Sequence, residues 1–167
     1  PILLTMKAPK FLLFFALTLT LSSCGETTQG SGNEKPKGVV FPNATYTKVV
    51  AYHFEDLSGK AIIDENGELN PTVKKEKELD EDLIKAFLKT INKEKTYGGE
   101  STRCFKPRLG VVFYNGATPV AHISICFECS QQVSTPAILA YTQAPNSGYS
   151  EEGFRTLTGF CRQLGFG

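Results

Sequence analysis

Residues 109–127 read LGVVFYNGATPVAHISICF, and this stretch decides the fold. Leu109 to Tyr114 and Val120 to Phe127 are rich in β-branched and aromatic residues. Asn115-Gly116-Ala117-Thr118-Pro119 between them is turn chemistry, so the stretch predicts a β-hairpin. Strand side chains alternate with a period of two, which puts Ile123, Ile125 and Phe127 on one face and His122, Ser124 and Cys126 on the other. The Ile/Phe face is the expected core.

Upstream, Thr45 to Phe54 (TYTKVVAYHF) reads as another strand and Ala61-Ile62-Ile63 as a short one ended by Asp64-Glu65-Asn66-Gly67. That acidic loop lacks the spaced ligands and closing Glu of a calcium loop, so it reads as a solvated turn. Leu83, Ile84, Phe87, Leu88 and Ile91 recur at helical spacing behind Asp80-Glu81-Asp82, and Lys93 and Lys95 suit the helix's C-terminal end. The charge run from Lys74 to Asp82 is expected to be a solvated approach to this helix.

Downstream, Ile138 to Tyr141 predicts a short edge strand between Pro136 and Pro145. A closing helix is predicted over 150–164, with Ser150 as N-cap, Glu151 and Glu152 in the first turn, and Gly165 just past its end. Tyr149 is placed to staple onto Phe154. The stripe Phe154, Leu157, Cys161 and Leu164 would set Cys161 against the sheet. This order of elements predicts an α+β fold, a mainly antiparallel sheet with two helices packed on one face, as one domain over 39–167.

Ahead of the domain, Lys7 and Lys10 precede an apolar run, Phe11 to Leu21, that leads through Ser22 and Ser23 into Cys24. The run is too short to span a bilayer as a helix. A basic start, a short apolar run and small residues before a cysteine resemble the signal of bacterial lipoproteins. The resemblance implies removal of residues 1–23, lipidation of Cys24 as the mature N-terminus, and a lipid anchor in a membrane of the cell envelope. Gly25, in place of an aspartate that resembles an inner-membrane retention signal, points to the outer membrane. Met6 is the only methionine, so residues 1–5 read as lying upstream of the start. Glu26 to Lys37, ETTQGSGNEKPK, has the composition of a flexible tether, which makes 24–38 the lipidated cysteine and its linker.

The chain carries 18 basic and 17 acidic residues, and cleavage before Cys24 would remove two lysines and no acid, leaving 16 against 17. No basic, aromatic-interleaved stripe remains to gather phosphates, so nucleic acid is not an expected partner. The expected partners are the membrane, through the anchor, and an envelope protein or small ligand.

Four further cysteines remain: Cys104, Cys126, Cys129 and Cys161. Spacing alone leaves three connectivities open. A hairpin turn centred near Gly116 or Ala117 brings Cys104 opposite the end of the second strand, close to Cys126 and Cys129, and a core-facing Cys161 would let all four converge. Three chemistries compete. Two structural disulfides suit an oxidising envelope. A tetrahedral zinc site of all four thiolates suits a CxxC with two distant cysteines. A redox-active Cys126-Phe127-Glu128-Cys129 is the third, although Glu128 would oppose a thiolate and no helix N-terminus starts there.

His122 lies about 13 Å from Cys126 along a regular strand, too far to touch it directly. Ser124 stands between them, and Arg108 or Tyr114 can reach the same face. A solvated or hydrogen-bonded His122 is expected rather than a catalytic one; His53, beside Phe54 and Glu55, reads the same way. No phosphate-cradling loop, nucleophile elbow, HExxH or paired-carboxylate motif is present. A non-enzymatic binding domain is therefore the leading expectation.

The blocks Tyr97-Gly98-Gly99, Cys104-Phe105-Lys106-Pro107-Arg108 and HISICFEC over 122–129 resemble a pattern of uncharacterised bacterial lipoproteins and secreted proteins. The resemblance implies an envelope location and one compact domain, and carries no assigned activity. It places any site around Arg108, His122, Cys126 and Cys129.

Overall fold

Val, Ile, Phe and Tyr repeat at every second position in three segments, and each forms a strand of one sheet in the computed structural model, which describes residues 38–166. These are β1 (Lys48–Phe54), β4 (Leu109–Asn115) and β5 (Thr118–Cys126). With β2 (Val73–Glu78) and β6 (Gln131–Thr135) they make a five-stranded antiparallel sheet in the order β2-β1-β4-β5-β6. A small second sheet pairs β3 (Tyr97–Gly99) with β7 (Gly148–Tyr149). The helices are α1 (Glu81–Ile91), the single turn α2 (Leu139–Thr142) and α3 (Glu151–Leu164). The fold is α+β, as expected. The readings made for residues 1–37, Cys24 among them, lie outside the described residues.

The hairpin closes where its turn residues stand: Asn115 pairs with Thr118, and Gly116, at φ 62°, takes the first central position of the two-residue turn. Ile123 and Ile125 are fully buried on the helix-covered face, beside Phe87 and Ile91 of α1 and Leu157 and Phe160 of α3. Burying each such side chain is worth about 1.5–3 kcal/mol. Both long helices are capped by local chemistry. Leu83 N–H donates to the Asp80 carboxylate at 2.9 Å, Gly153 N–H to Ser150 Oγ at 3.0 Å, and Gly165 adopts φ 74° beyond α3.

Four expectations change. The charge run from Lys74 is not an approach to the helix; Val73–Glu78 is the edge strand β2, with Lys74 to Glu78 all exposed. Its charged side chains blunt the edge against further pairing. On the helix-covered side, Lys75 and Lys77 reach the carbonyls of Gly165 (3.0 Å) and Gln163 (3.5 Å) at the negative end of α3. The other edge is β6, not Ile138 to Tyr141, where Ile138 caps and Leu139 onward forms α2. Ile138 is fully buried and bridges Val39, so it plugs the core rather than lining an edge. Ala61 to Ile63 contributes only a single bridge, Ile63 to Leu69. Finally, Phe154 does not staple onto Tyr149; it meets Phe127 edge-on at 5.9 Å, and the buried stripe of α3 is Gly153, Leu157, Phe160 and Leu164.

The face carrying His122, Ser124 and Cys126 is not left to solvent. A second, smaller core of Val50, Tyr52, Phe54, Val112 and Tyr114 is roofed by Ile62 and Ile63 from the connection 55–72. Asp56 organises that connection, accepting from Ser58 N–H (2.7 Å), Ser58 Oγ (2.6 Å), Lys60 N–H (3.2 Å) and Asn70 Nδ2 (2.9 Å). Burial raises the Asp56 carboxyl, but these donors outweigh it and hold it at about 2. Gly110 lies under Ile62 because a Cβ there would collide with that side chain.

Candidate functional site

The chain leaves β5 at Cys126 and turns sharply through 127–130, with Ser130 at φ 53°. That turn carries Cys129 back beside the segment that precedes β4. Cys104 and Cys129 form a disulfide, with Cα atoms 5.5 Å apart. Cys126 is a free, fully buried thiol next to it. The three sulfur atoms lie within 4.8 Å of one another. The hairpin register therefore does what the sequence implied for Cys104, Cys126 and Cys129. Cys161 does not join them. α3 turns it to the margin of its buried stripe, where burial pushes its thiol up to about 12.

The Cys126 sulfur is held by two backbone donors, the N–H groups of Lys106 and Cys129, each at 3.3 Å. Glu128, expected to oppose a thiolate from inside the CxxC, is engaged elsewhere. Its Oε1 takes two hydrogen bonds from Arg108, Nε at 3.2 Å and Nη2 at 2.9 Å, while Arg108 Nη1 reaches Glu55 at 3.1 Å. The hydrogen bond with Glu128 is the main reason the Arg108 pKa is raised, and the Cys126 sulfur adds a little to it. These side chains are 43–50 % exposed, so the ion pairs position the turn more than they stabilise it. As thiolates, Cys104, Cys126 and Cys129 can hold a metal ion.

Beside this centre lies a cleft of about 350 Å³ between the end of the sheet and α3. His53, Arg108, Phe127, Thr158, Cys161, Arg162 and Phe166 line it. His53 stacks on Phe166 at 5.9 Å, and burial is the chief cause of its lowered pKa, against the pull of Glu55. Arg162 is exposed and has no ion-pair partner among the described residues.

The remaining candidates are not gathered here. Tyr114 lies at the turn end of β4, six residues and about 20 Å from Arg108; its hydroxyl is 2.9 Å from that of Tyr52, and Lys48 sits over its ring at 5.2 Å. Ser124 is fully buried and accepts the N–H of Ile62 at 2.7 Å, a structural bond. His122 is half-buried, with its Nδ1 buried and without a partner among the described residues, and burial lowers its pKa. Arg162 and Phe166 were not singled out from the sequence; a cation and an aromatic straddling the Gly165 stop of α3 were the available signal.

Fold and site together define an α+β domain with a disulfide-bearing sulfur centre beside an apolar cleft. No protein-family model, curated protein or solved structure matches the chain.

Proposed function

We propose that the protein is a lipid-anchored envelope protein, held through Cys24 in the outer membrane, whose domain binds a small ligand with an apolar body and an anionic head. One observation carries the ligand class: the cleft has an apolar floor of Phe127, Cys161 and Phe166 and, at its rim, the guanidinium of Arg162, which has no ion-pair partner among the described residues. Such a site buries an apolar group while a cation fixes an acidic one. The anchor rests on the run from Lys7 to Cys24. The test titrates octanoate and, separately, octanol into the ¹⁵N-labelled chain from Gly25 onward. Octanoate is expected to shift the amides of Thr158, Arg162 and Phe166, and Arg162→Ala to weaken it about tenfold. Equal response to octanol, or shifts confined to other surfaces, would reject the ligand class. Mass spectrometry of protein from bacterial membranes tests the anchor: a diacylglycerol adduct on Cys24 is expected, and an unmodified Cys24 defeats it.

A second reading has its own observation, the three sulfurs within 4.8 Å. Once the disulfide is reduced, Cys104, Cys126 and Cys129 bind a soft metal of the zinc class as thiolates, with Cys161 outside the ligand set. Cobalt(II) added to reduced protein is expected to give thiolate charge-transfer absorption that Cys161→Ser retains and Cys126→Ser loses. Absorption that disappears with Cys161→Ser contradicts this ligand set.

A further inference from the structure

The disulfide has a thiol at its side that cannot reach solvent. Cys126 is 0 % exposed, within 4.8 Å of both bonded sulfurs, and carries two backbone N–H donors on its own sulfur. We propose that Cys104, Cys126 and Cys129 form an exchangeable three-sulfur centre, in which Cys126 displaces Cys104 from the disulfide and so delivers a reactive thiol to the surface. This goes beyond the binding reading and does not depend on the cleft.

The step is a thiol–disulfide exchange within one molecule. The Cys126 thiolate attacks Sγ of Cys129; the Cys126–Cys129 bond forms, the Cys104–Cys129 bond breaks, and Cys104 leaves as a thiolate. The proton given up by Cys126 is balanced by protonation of Cys104 from water. One disulfide and one thiol are present before and after, so no oxidant or reductant is consumed.

Burial sets the direction of attack. Exchange is faster when the leaving thiolate is the better stabilised one. Attack on Cys129 releases Cys104, which is half-buried and has the Thr102 hydroxyl at 3.5 Å from its sulfur. Attack on Cys104 would release Cys129, which is 0 % exposed, leaving a thiolate without solvent. Either route starts from the same Cys126 sulfur, which the N–H groups of Lys106 and Cys129 hold beside the disulfide, so the leaving group decides between them. The outcome is a CxxC disulfide inside the 127–130 turn and a modifiable thiol at Cys104, the site at which a thiol-directed reagent or a second disulfide would act.

The chain offers a direct readout. Trypsin releases Cys104 in the pentapeptide CFKPR (104–108), Cys126 and Cys129 together in 109–155, and Cys161 in TLTGFCR (156–162). The full-length protein, purified in mild detergent without reductant, is held folded in N-ethylmaleimide and digested at intervals without reduction. The expected result is maleimide-labelled CFKPR growing with time, at the expense of CFKPR disulfide-linked to 109–155, while 109–155 gains an internal disulfide. Labelling of CFKPR is expected to be at least about tenfold slower in Cys126→Ser. Cys126→Ala repeats the comparison should the serine variant be misfolded, and Cys161→Ser should label at the parent's rate. CFKPR that stays linked throughout in the folded parent, or that labels as fast without Cys126, overturns the proposal. Direct labelling of Cys126 with the Cys104–Cys129 link intact, found after cutting at Glu128, overturns it as well.

Discussion

The backbone N–H of Ile62 donates to Oγ of Ser124 at 2.7 Å, across 62 residues of chain and from a loop to an inner strand of the sheet. This bond pins the roof of the second core to β5. Both partners are fully buried, so neither has water as a substitute.

Ser124→Ala leaves that N–H unpaired in an apolar site, and a loss of about 1–3 kcal/mol is expected. Urea unfolding measures it directly. The connection 55–72 should also become more open to proteolysis in this variant; an unchanged midpoint would mean that the roof is held by Asp56 and packing alone.

His122 makes stability depend on pH. Burial lowers its folded pKa below the unfolded value of 6.5. The unfolded chain therefore binds the proton more readily, and stability falls as pH drops from about 6.5 towards the folded pKa. His122→Gln should flatten the stability profile through that window, as followed by denaturation at closely spaced pH values. A parallel profile for parent and variant would assign the dependence elsewhere.

Gly153 sits in the first turn of α3, where a Cβ would run into the carbonyl of Thr96. Replacing a helical glycine by alanine ordinarily gains about 0.5–1 kcal/mol. Gly153→Ala is expected instead to lose about 1–3 kcal/mol by overpacking against backbone that cannot yield. A thermal melt decides the sign, and a higher Tm would show that the helix can shift.

Cys161 is free, yet it should be a poor nucleophile in the folded chain because burial pushes its thiol up to about 12. Iodoacetamide labelling of TLTGFCR at pH 8 is expected to be at least about tenfold slower in folded than in unfolded protein. Equal rates would place the thiol in water.

What could be read from sequence was local. The hairpin of 109–127 and the caps of α3, Ser150 and Gly165, depend on residues a few positions apart, and both stand as expected. β2 escaped because Lys and Glu are poor strand formers, and only the edge position makes VKKEKE a strand. The second core escaped because it depends on Asp56 meeting Asn70 and on Ser124 meeting Ile62 across long separations. At the site, the hairpin register brought Cys104, Cys126 and Cys129 together as anticipated. In α3, Leu157 and Leu164 enter the core as anticipated, but Gly153 and Phe160 do so where Phe154 and Cys161 were expected, and Cys161 packs only partly buried at the core's margin. The cleft was invisible, since it joins residues from β1, the 127–130 turn and the end of α3.

The point where the chain enters the domain also decides how it bears load. Val39 exchanges hydrogen bonds with Ala137 (2.8 Å) and Leu139 (2.9 Å), and Phe41 exchanges two with the side chain of Asn92, both 2.8 Å. A pull on the chain ahead of Gly38 therefore meets these four bonds before it reaches β1. The clamp fastens to α2 and to the end of α1, so tension is shared between two helices and the sheet is not unzipped strand by strand from its N-terminal end. A domain tied to a moving surface by its N-terminus would be mechanically protected at the residues where the force arrives.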